Sequence, residues 1–262
     1  DIVGLDTMCF VANTAYEKCT DDPEKEIFKI PDYLQKMVDS GWLGQKSKQG
    51  FYKKIDKGVI HSIDLDTLEY TPQAKKRYPG IGLAKENTQV GDKIKALVNS
   101  DDTAGQFIWE VTAKALLYSA HRVGEIADDI VNIDRAMRWG FGWSLGPFEV
   151  WDAIGVRESV DRMKTESKNL PVWVSKMLEK GHDSFYKHLE NFNCYWDINK
   201  EDYLPIPVSK KELKFANFKY NGSLIEDHWS ASIIDLGDGV AGVNFHSVLQ
   251  ADLNPIDGSI LQ

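Results

Sequence analysis

The chain has 262 residues, 42% hydrophobic and 27% charged, which suits one large or two modest globular domains with a real core. Its uncharged apolar stretches fall far short of the ~20 residues a membrane span needs, and its N-terminus carries no basic-then-apolar signal pattern. Lys and Arg total 31 against 40 Asp and Glu, a net charge of −9, so bulk electrostatics repel a polyanion and argue against nucleic acid as a partner.

In chain order, the three cysteines (Cys9, Cys19, Cys194) are too few and too scattered for a disulfide framework and read as free thiols of a reducing, cytoplasmic compartment. Residues 46 to 57 concentrate Lys46, Lys48, Lys53, Lys54 and Lys57 against Asp56 alone, a basic island in an acidic chain; such a run is ordinarily a solvated face. Residues 73–103 are polar with little periodicity and are expected to be a linker. Residues 104–126 carry apolar side chains on nearly every side, as in a helix buried all round. Asp128 or Asp129 is expected to cap the next helix and Gly140 to end it. Pro147 then opens a short helix that Gly155 closes. After a second linker at 206–216, Trp229–Leu236 and Val240–Ser247 flank Gly237-Asp238-Gly239, a hairpin signal, and Asn254-Pro255 looks like a helix entry.

The sequence repeats itself. IPDYLQKMVDSGW (30–42) aligns with LPVWVSKMLEKGH (170–182) at an offset of 140, Phe51-Tyr52-Lys53 with Phe185-Tyr186-Lys187 at 134, and DLDTLEYTP (64–72) with DINKEDYLP (197–205) at 133. Asp1-Ile2-Val3-Gly4-Leu5 likewise resembles Asp152-Ala153-Ile154-Gly155-Val156. Collinear matches of this kind predict two copies of one helical module, each closed by a short hairpin. The first copy starts at the equivalent of Asp152, so the helices that cover it are expected upstream or from another chain. The offset falls from 140 to 134 because nine residues (WLGQKSKQG) separate Gly41 from Phe51 where three (HDS) separate Gly181 from Phe185. This unshared, lysine-bearing loop is a better place to look for function than the shared scaffold, although insertions in surface loops are also tolerated without one.

Three apparent motifs are set aside. Gly140 to Gly146 is glycine-rich but follows a helix and lacks the GxGxxG spacing of a dinucleotide cradle. Asp197 to Asp202 resembles the start of a calcium loop, yet Asp202 stands where Gly is required. The six histidines show neither metal-ligand spacing nor an evident nucleophile partner, so no metal site is expected.

DIVGLDT (1–7), GWLGQKSKQGFYKK (41–54) and NIDRAMRWGFGWSLGPFEVWDAIG (132–155) resemble the C-terminal helical domains of L-3-hydroxyacyl-CoA dehydrogenases, and ASIIDLGDGVAGVNFHSVLQADLNPID (231–257) resembles the opening of a crotonase-type enoyl-CoA hydratase domain. The resemblance implies a mainly α fold: two tandem 6-phosphogluconate-dehydrogenase-C-terminal-like helical modules with small hairpins, plus the hairpin of an incomplete α/β crotonase domain. The implied boundaries are 1–72, linker 73–103, second module 104–205, linker 206–216 and crotonase start 217–262. It further implies a middle fragment of a bifunctional β-oxidation protein with NAD as cofactor, acyl-CoA as substrate and a homo-oligomeric state. The catalytic His–Glu pair would belong to a Rossmann domain outside this sequence, so the chain alone is expected to be inactive and no catalytic residue is assigned. Where the family's central helix often reads F-x-x-N-R, this chain has Phe107-Ile108-Trp109-Glu110-Val111, which implies that the second copy has no catalytic part. Lys46 matches the family lysine that reaches NAD, a charge-assisted hydrogen bond worth about 1.5–3 kcal/mol. Two other readings stay open: a non-catalytic helical pairing module, and a crotonase-type enzyme with a helical extension.

Overall fold

The computed structural model describes residues 1–56, 58–74, 76–189, 192–207, 218, 222–246 and 258. The chain divides into two compact units, Asp1–Arg77 and Tyr78–Gln262. Helices alternate with small three-stranded antiparallel sheets. Among the described residues, no helix is long and apolar enough to cross a membrane.

In the first unit, helix α1 (Leu5–Lys18) follows Gly4. Gly4 holds φ at 102°, a conformation that a side chain would strain. Helix α2 (Asp32–Asp39) follows Pro31 and turns Leu34 and Met37 inward, an i, i+3 pair on one face. They close a small core with Leu5 and Cys9, against which Trp42, Phe51 and Ile63 pack. Strands β1 (Tyr52–Asp56), β2 (Val59–Ile63) and β3 (Tyr70–Pro72) form a meander in that order. The Asp1 carboxylate ties the start of this unit to the sheet by accepting from the Phe51 and Tyr52 amides at 2.9 and 3.0 Å.

The second unit contains helices α3 (Pro79–Glu86), α4 (Val90–Val98), α5 (Thr103–His121), α6 (Ile130–Phe141), α7 (Pro147–Ile154), α8 (Val156–Thr165) and α9 (Val172–Glu179). The meander β4 (Tyr186–Leu189), β5 (Phe192–Asp197), β6 (Asp202–Pro205) follows, and then β7 (Leu224–Asp227), β8 (Ala231–Asp235) and β9 (Ala241–Phe245). Its core is aromatic: Phe148, Trp151 and Phe185 are fully buried, and the Phe185 ring lies 5.1, 5.2 and 5.7 Å from those of Phe148, Trp151 and Trp173.

Several small geometries occur in both units. The Asp152 carboxylate accepts from the Phe185 and Tyr186 amides at 2.6 and 2.8 Å, as Asp1 does from Phe51 and Tyr52. Trp42 donates its amide to Met37, and His182 to Met177. Both methionines are fully buried. Asp64 and Asp197 each cap a turn by accepting from the amides two and three residues on, and those turns place Leu68 and Glu201 at φ of 57° and 51°. The Tyr70 hydroxyl donates to the Gly50 carbonyl, and the Tyr203 hydroxyl to that of Ser184. Lys53 and Lys187 lie 5.3 and 4.9 Å from the centres of the Tyr70 and Tyr203 rings.

Three expectations are corrected. Residues 73–103, read as a linker, contain α3 and α4, and the compact unit begins at Tyr78. Pro79 starts α3 at its first turn, while Ile94 and Leu97 with buried Val98 supply α4 with a helical stripe that the intervening lysines obscure in the sequence. Gly91 lets α4 approach α7, since a Cβ there would stand 2.8 Å from that of Ala153. Helix α5 is not buried all round: Trp109, Ala113, Leu116 and Ala120 face the core, but Phe107, Val111 and Tyr118 are exposed. Finally, α6 runs past Gly140 to Phe141 and ends on Gly142, which takes the left-handed conformation at φ 68°. Asp129 caps that helix by accepting from the Asn132 amide. Pro147 and Gly155 bound α7 as read from the sequence. The hairpin at 237–239 joins β8 to β9 with Ile233 opposite Val243; the short acidic β7 beside it was not anticipated. In the second linker, Ile206 packs on the core and donates to Asn193. Residues 208–216 and the Asn254-Pro255 entry lie outside the described residues.

Candidate functional site

The lysine-bearing loop is a closed, hydrogen-bonded ring. Gly44 and Gln49 exchange amide–carbonyl bonds at 2.7 and 3.1 Å, and Gln45 donates to the Asp1 carbonyl at 3.0 Å. The Ser47 hydroxyl takes the Leu43 amide at 2.8 Å and lies 2.8 Å from the Gln49 carbonyl. Gly44 holds φ at 99° directly against the Asp1 backbone, where any Cβ would collide. The single turn Gln45–Ser47 therefore has little freedom and carries Lys46 to a fixed place.

Lys46 lies over the start of α1. Its Nζ donates to Asp6 Oδ2 at 2.6 Å and has no second hydrogen-bond partner among the described residues, and its side chain stays 49% exposed, which leaves two of its three donors for a ligand. The ammonium holds the Asp6 carboxyl below the usual carboxylate range. The other oxygen, Asp6 Oδ1, is shut away from solvent and has no hydrogen-bond partner among the described residues. A Cβ at Gly4 would stand 3.1 Å from Lys46 Nζ, so glycine keeps open the ground between the ammonium and the first amides of α1. An ammonium with free donors beside a helix N-terminus is suited to an anionic or polyhydroxylated ligand. Asp6 was missed in the sequence; its place in the first turn of a helix starting at a glycine was the available signal. Of the remaining run, Lys48 sits at φ 60°, Lys53 over Tyr70, and Lys57 lies outside the described residues.

A second polar cluster, also unread in the sequence, lies in the second unit. Asp134 is 2% exposed and accepts from the amides of Phe148 and Glu149 at 2.8 and 3.1 Å and from the Tyr186 hydroxyl at 2.8 Å. It thus serves as a remote N-terminal cap of α7. Gly146 makes room for it, because any side chain there would strike Asp134. Arg138 pairs with Glu149 at 3.0 Å on the rim. Asp134 and Asp152 line one cleft of about 440 Å³ with Arg135, Lys187 and His188. Burial pushes both carboxyls up to about 7, against the pull of their donors, and each is raised further by a neighbouring acid, Glu149 for Asp134 and Asp134 for Asp152.

Both carboxyls bind protons more tightly folded than unfolded, so the stability they contribute is fully present below about pH 4 and is lost as pH rises through about 7. Glu110, held low by its hydrogen bond from Lys168, works in the opposite direction below its ordinary range. The second unit is therefore expected to melt higher at pH 5 than at pH 8, and Asp134→Asn to reduce that difference, with Asp152 keeping part of it. A melting temperature equal or higher at pH 8 would contradict this assignment.

One histidine lies against a serine hydroxyl. His246 Nε2 lies 2.6 Å from the Ser232 hydroxyl, which donates to Asp227 Oδ1 at 2.7 Å. Serine stands between the other two, whereas nucleophilic activation needs histidine in the middle, and Ser232 is fully buried. The trio ties β7, β8 and the end of β9 together. Among the described residues, no group of three or more His, Cys, Asp or Glu is placed to hold a metal ion. Glu110 is engaged by Lys168 and Lys114 at 2.7 and 3.3 Å.

Residues 1–54 match the profile of the 3-hydroxyacyl-CoA dehydrogenase C-terminal domain family, a segment that includes Asp6, the closed ring and Lys46. The similarity is thus to a part of an oxidoreductase. Among curated proteins, the chain is 44% identical over 247 residues to the "Probable 3-hydroxyacyl-CoA dehydrogenase" of Bacillus subtilis (strain 168), covering 94% of this chain and 31% of that protein. It is 24% identical over 226 residues to the "Putative fatty acid oxidation complex trifunctional enzyme" of Rickettsia felis, covering 84% of this chain and 29% of the relative. The chain thus spans under a third of the length of these relatives. No solved structure matches it significantly.

Proposed function

We propose that the full-length protein is an NAD-dependent L-3-hydroxyacyl-CoA dehydrogenase of fatty-acid β-oxidation, and that this chain supplies helical domains which close over cofactor and acyl-CoA. The observation that carries the reading is the rigid ring holding Lys46 half-exposed with free donors, inside the segment similar to the dehydrogenase family. NAD, when bound, supplies the hydride acceptor. Lys46 positions it by a charge-assisted hydrogen bond, Asp6 holds the ammonium in place, and Gly4 leaves the approach open. The hydride step and its general base are assigned in this reading to a nucleotide-binding domain of the full-length protein outside this chain. This chain is inactive without it.

The recurring geometries at Asp1 and Asp152, Met37 and Met177, Asp64 and Asp197, and Tyr70 and Tyr203 support reading 1–72 and 104–205 as two copies of one module. In this reading the second copy is scaffold: it has three residues where the first has the Lys46 ring. The antiparallel β8–β9 pair, on the sequence ASIIDLGDGVAGVNF, supports taking 217–262 as the opening of a crotonase-type hydratase domain. Exposed Met8, Phe10 and Val11 on α1 support a homo-oligomer, and the small number and wide spacing of the cysteines support the cytoplasm.

The full-length protein is expected to oxidise NADH saturably with acetoacetyl-CoA, and the 262-residue chain to show no turnover. Absence of turnover by the full-length protein overturns the reading.

A further inference from the structure

Helices α3, α4 and α5 line an open groove of about 560 Å³ for which the dehydrogenase reading has no use. Ile81 of α3, Leu97 of α4 and Phe107 and Ile108 of α5 wall it, and its charged lining residues are Lys85 and Lys93. That volume falls in the range of small-molecule sites, which are apolar with a few convergent polar groups. Phe107 is 65% and Ile81 41% exposed, so the apolar lining is open to an occupant.

The charge of the lining is unusual for this chain. Acids outnumber bases by nine, yet the two charges on the groove are both positive, and neither lysine has an ion-pair partner among the described residues. Lysine stems extend an apolar wall while their ammonium groups stay at the water boundary. The occupant that complements such a site has an aliphatic body and an anion attached directly to its end. A carboxylate accepts charge-assisted bonds from lysine ammonium groups such as those of this lining. A thioester places a neutral carbonyl at the end of its chain and its phosphates a full linker away.

We infer that the α3–α5 groove binds a free long-chain fatty carboxylate, with Lys85 and Lys93 receiving its head and Ile81, Leu97, Phe107 and Ile108 its tail. The inference rests on the groove alone and survives or fails independently of the dehydrogenase reading.

The test is a calorimetric titration of the 262-residue chain with dodecanoate below its micelle concentration, beside dodecyltrimethylammonium, which has the same tail and the opposite charge, and dodecanoyl-CoA. Dodecanoate is expected to bind saturably at one site and the cationic amphiphile about 10-fold more weakly or less. The double variant Lys85→Gln/Lys93→Gln and the surface variant Phe107→Glu are each expected to weaken dodecanoate by about 10-fold or more with unchanged melting. The comparison of the two amphiphiles on the wild-type chain stands even where a variant unfolds. Absence of binding, equal binding of both amphiphiles or undiminished binding by folded variants overturns the inference. Tighter binding of dodecanoyl-CoA than of dodecanoate overturns it in favour of the thioester.

Discussion

Trp151→Ala is expected to cost the second unit about 3–5 kcal/mol, the usual range for removing a buried large aromatic ring. Trp151 has no exposed surface, and its ring packs on Phe185 at 5.2 Å. Its Nε1 donates to the Ser159 hydroxyl at 2.7 Å, and that hydroxyl in turn lies 2.6 Å from the Gly155 carbonyl, holding the junction between α7 and α8. The substitution therefore opens a cavity at the centre of the aromatic core and removes the donor that orients the junction. Trp151→Phe keeps a six-membered ring but loses the rest of the indole together with its donor, so its cost is expected to be smaller, about 2–3 kcal/mol. Urea unfolding of the 262-residue chain, followed in the aromatic circular dichroism, checks both values. A loss below about 1 kcal/mol for the alanine variant would mean that the core does not centre on this ring.

What the sequence made legible was whatever chemistry is local. Pro147 and Gly155 bound a helix because one presets φ and lacks an amide while the other tolerates positive φ, and Asp129 caps because its carboxylate reaches the amide three residues on. The hairpin at 237–239 was legible for the same reason, with Gly237, Asp238 and Gly239 all at positive φ. The repeat offsets also located the loop around Lys46, since an insertion changes the spacing whatever its conformation. Less legible was anything decided by contact. Helices α3 and α4 hide in a polar segment because only a narrow stripe of each faces inward. The choice between Gly140 and Gly142 as a helix end depends on which amide returns to the Met137 carbonyl, and that is Gly142. Asp6 and Asp134 are ordinary acids in sequence. Their roles come from partners forty residues away at Lys46 and fifty-two away at Tyr186, separations at which no spacing rule operates.

The closed ring from Leu43 to Gly50 fixes one ammonium without using up its donors. Removing that ammonium leaves the ring's own hydrogen bonds intact, since Ser47, Gly44 and Gln49 make them. The Lys46–Asp6 pair is half-exposed, and exposed pairs add little to stability. A loss of cofactor affinity in Lys46→Ala would therefore report a lost contact and not a collapsed loop. Lys48→Ala, on the same turn, is the matched control. The deciding measurement is NAD affinity of the full-length protein by equilibrium titration. Lys46→Ala is expected to weaken it by about 10- to 100-fold, the equivalent of one charge-assisted hydrogen bond, with Lys48→Ala near wild type. Wild-type NAD affinity in a folded Lys46→Ala protein would contradict the account.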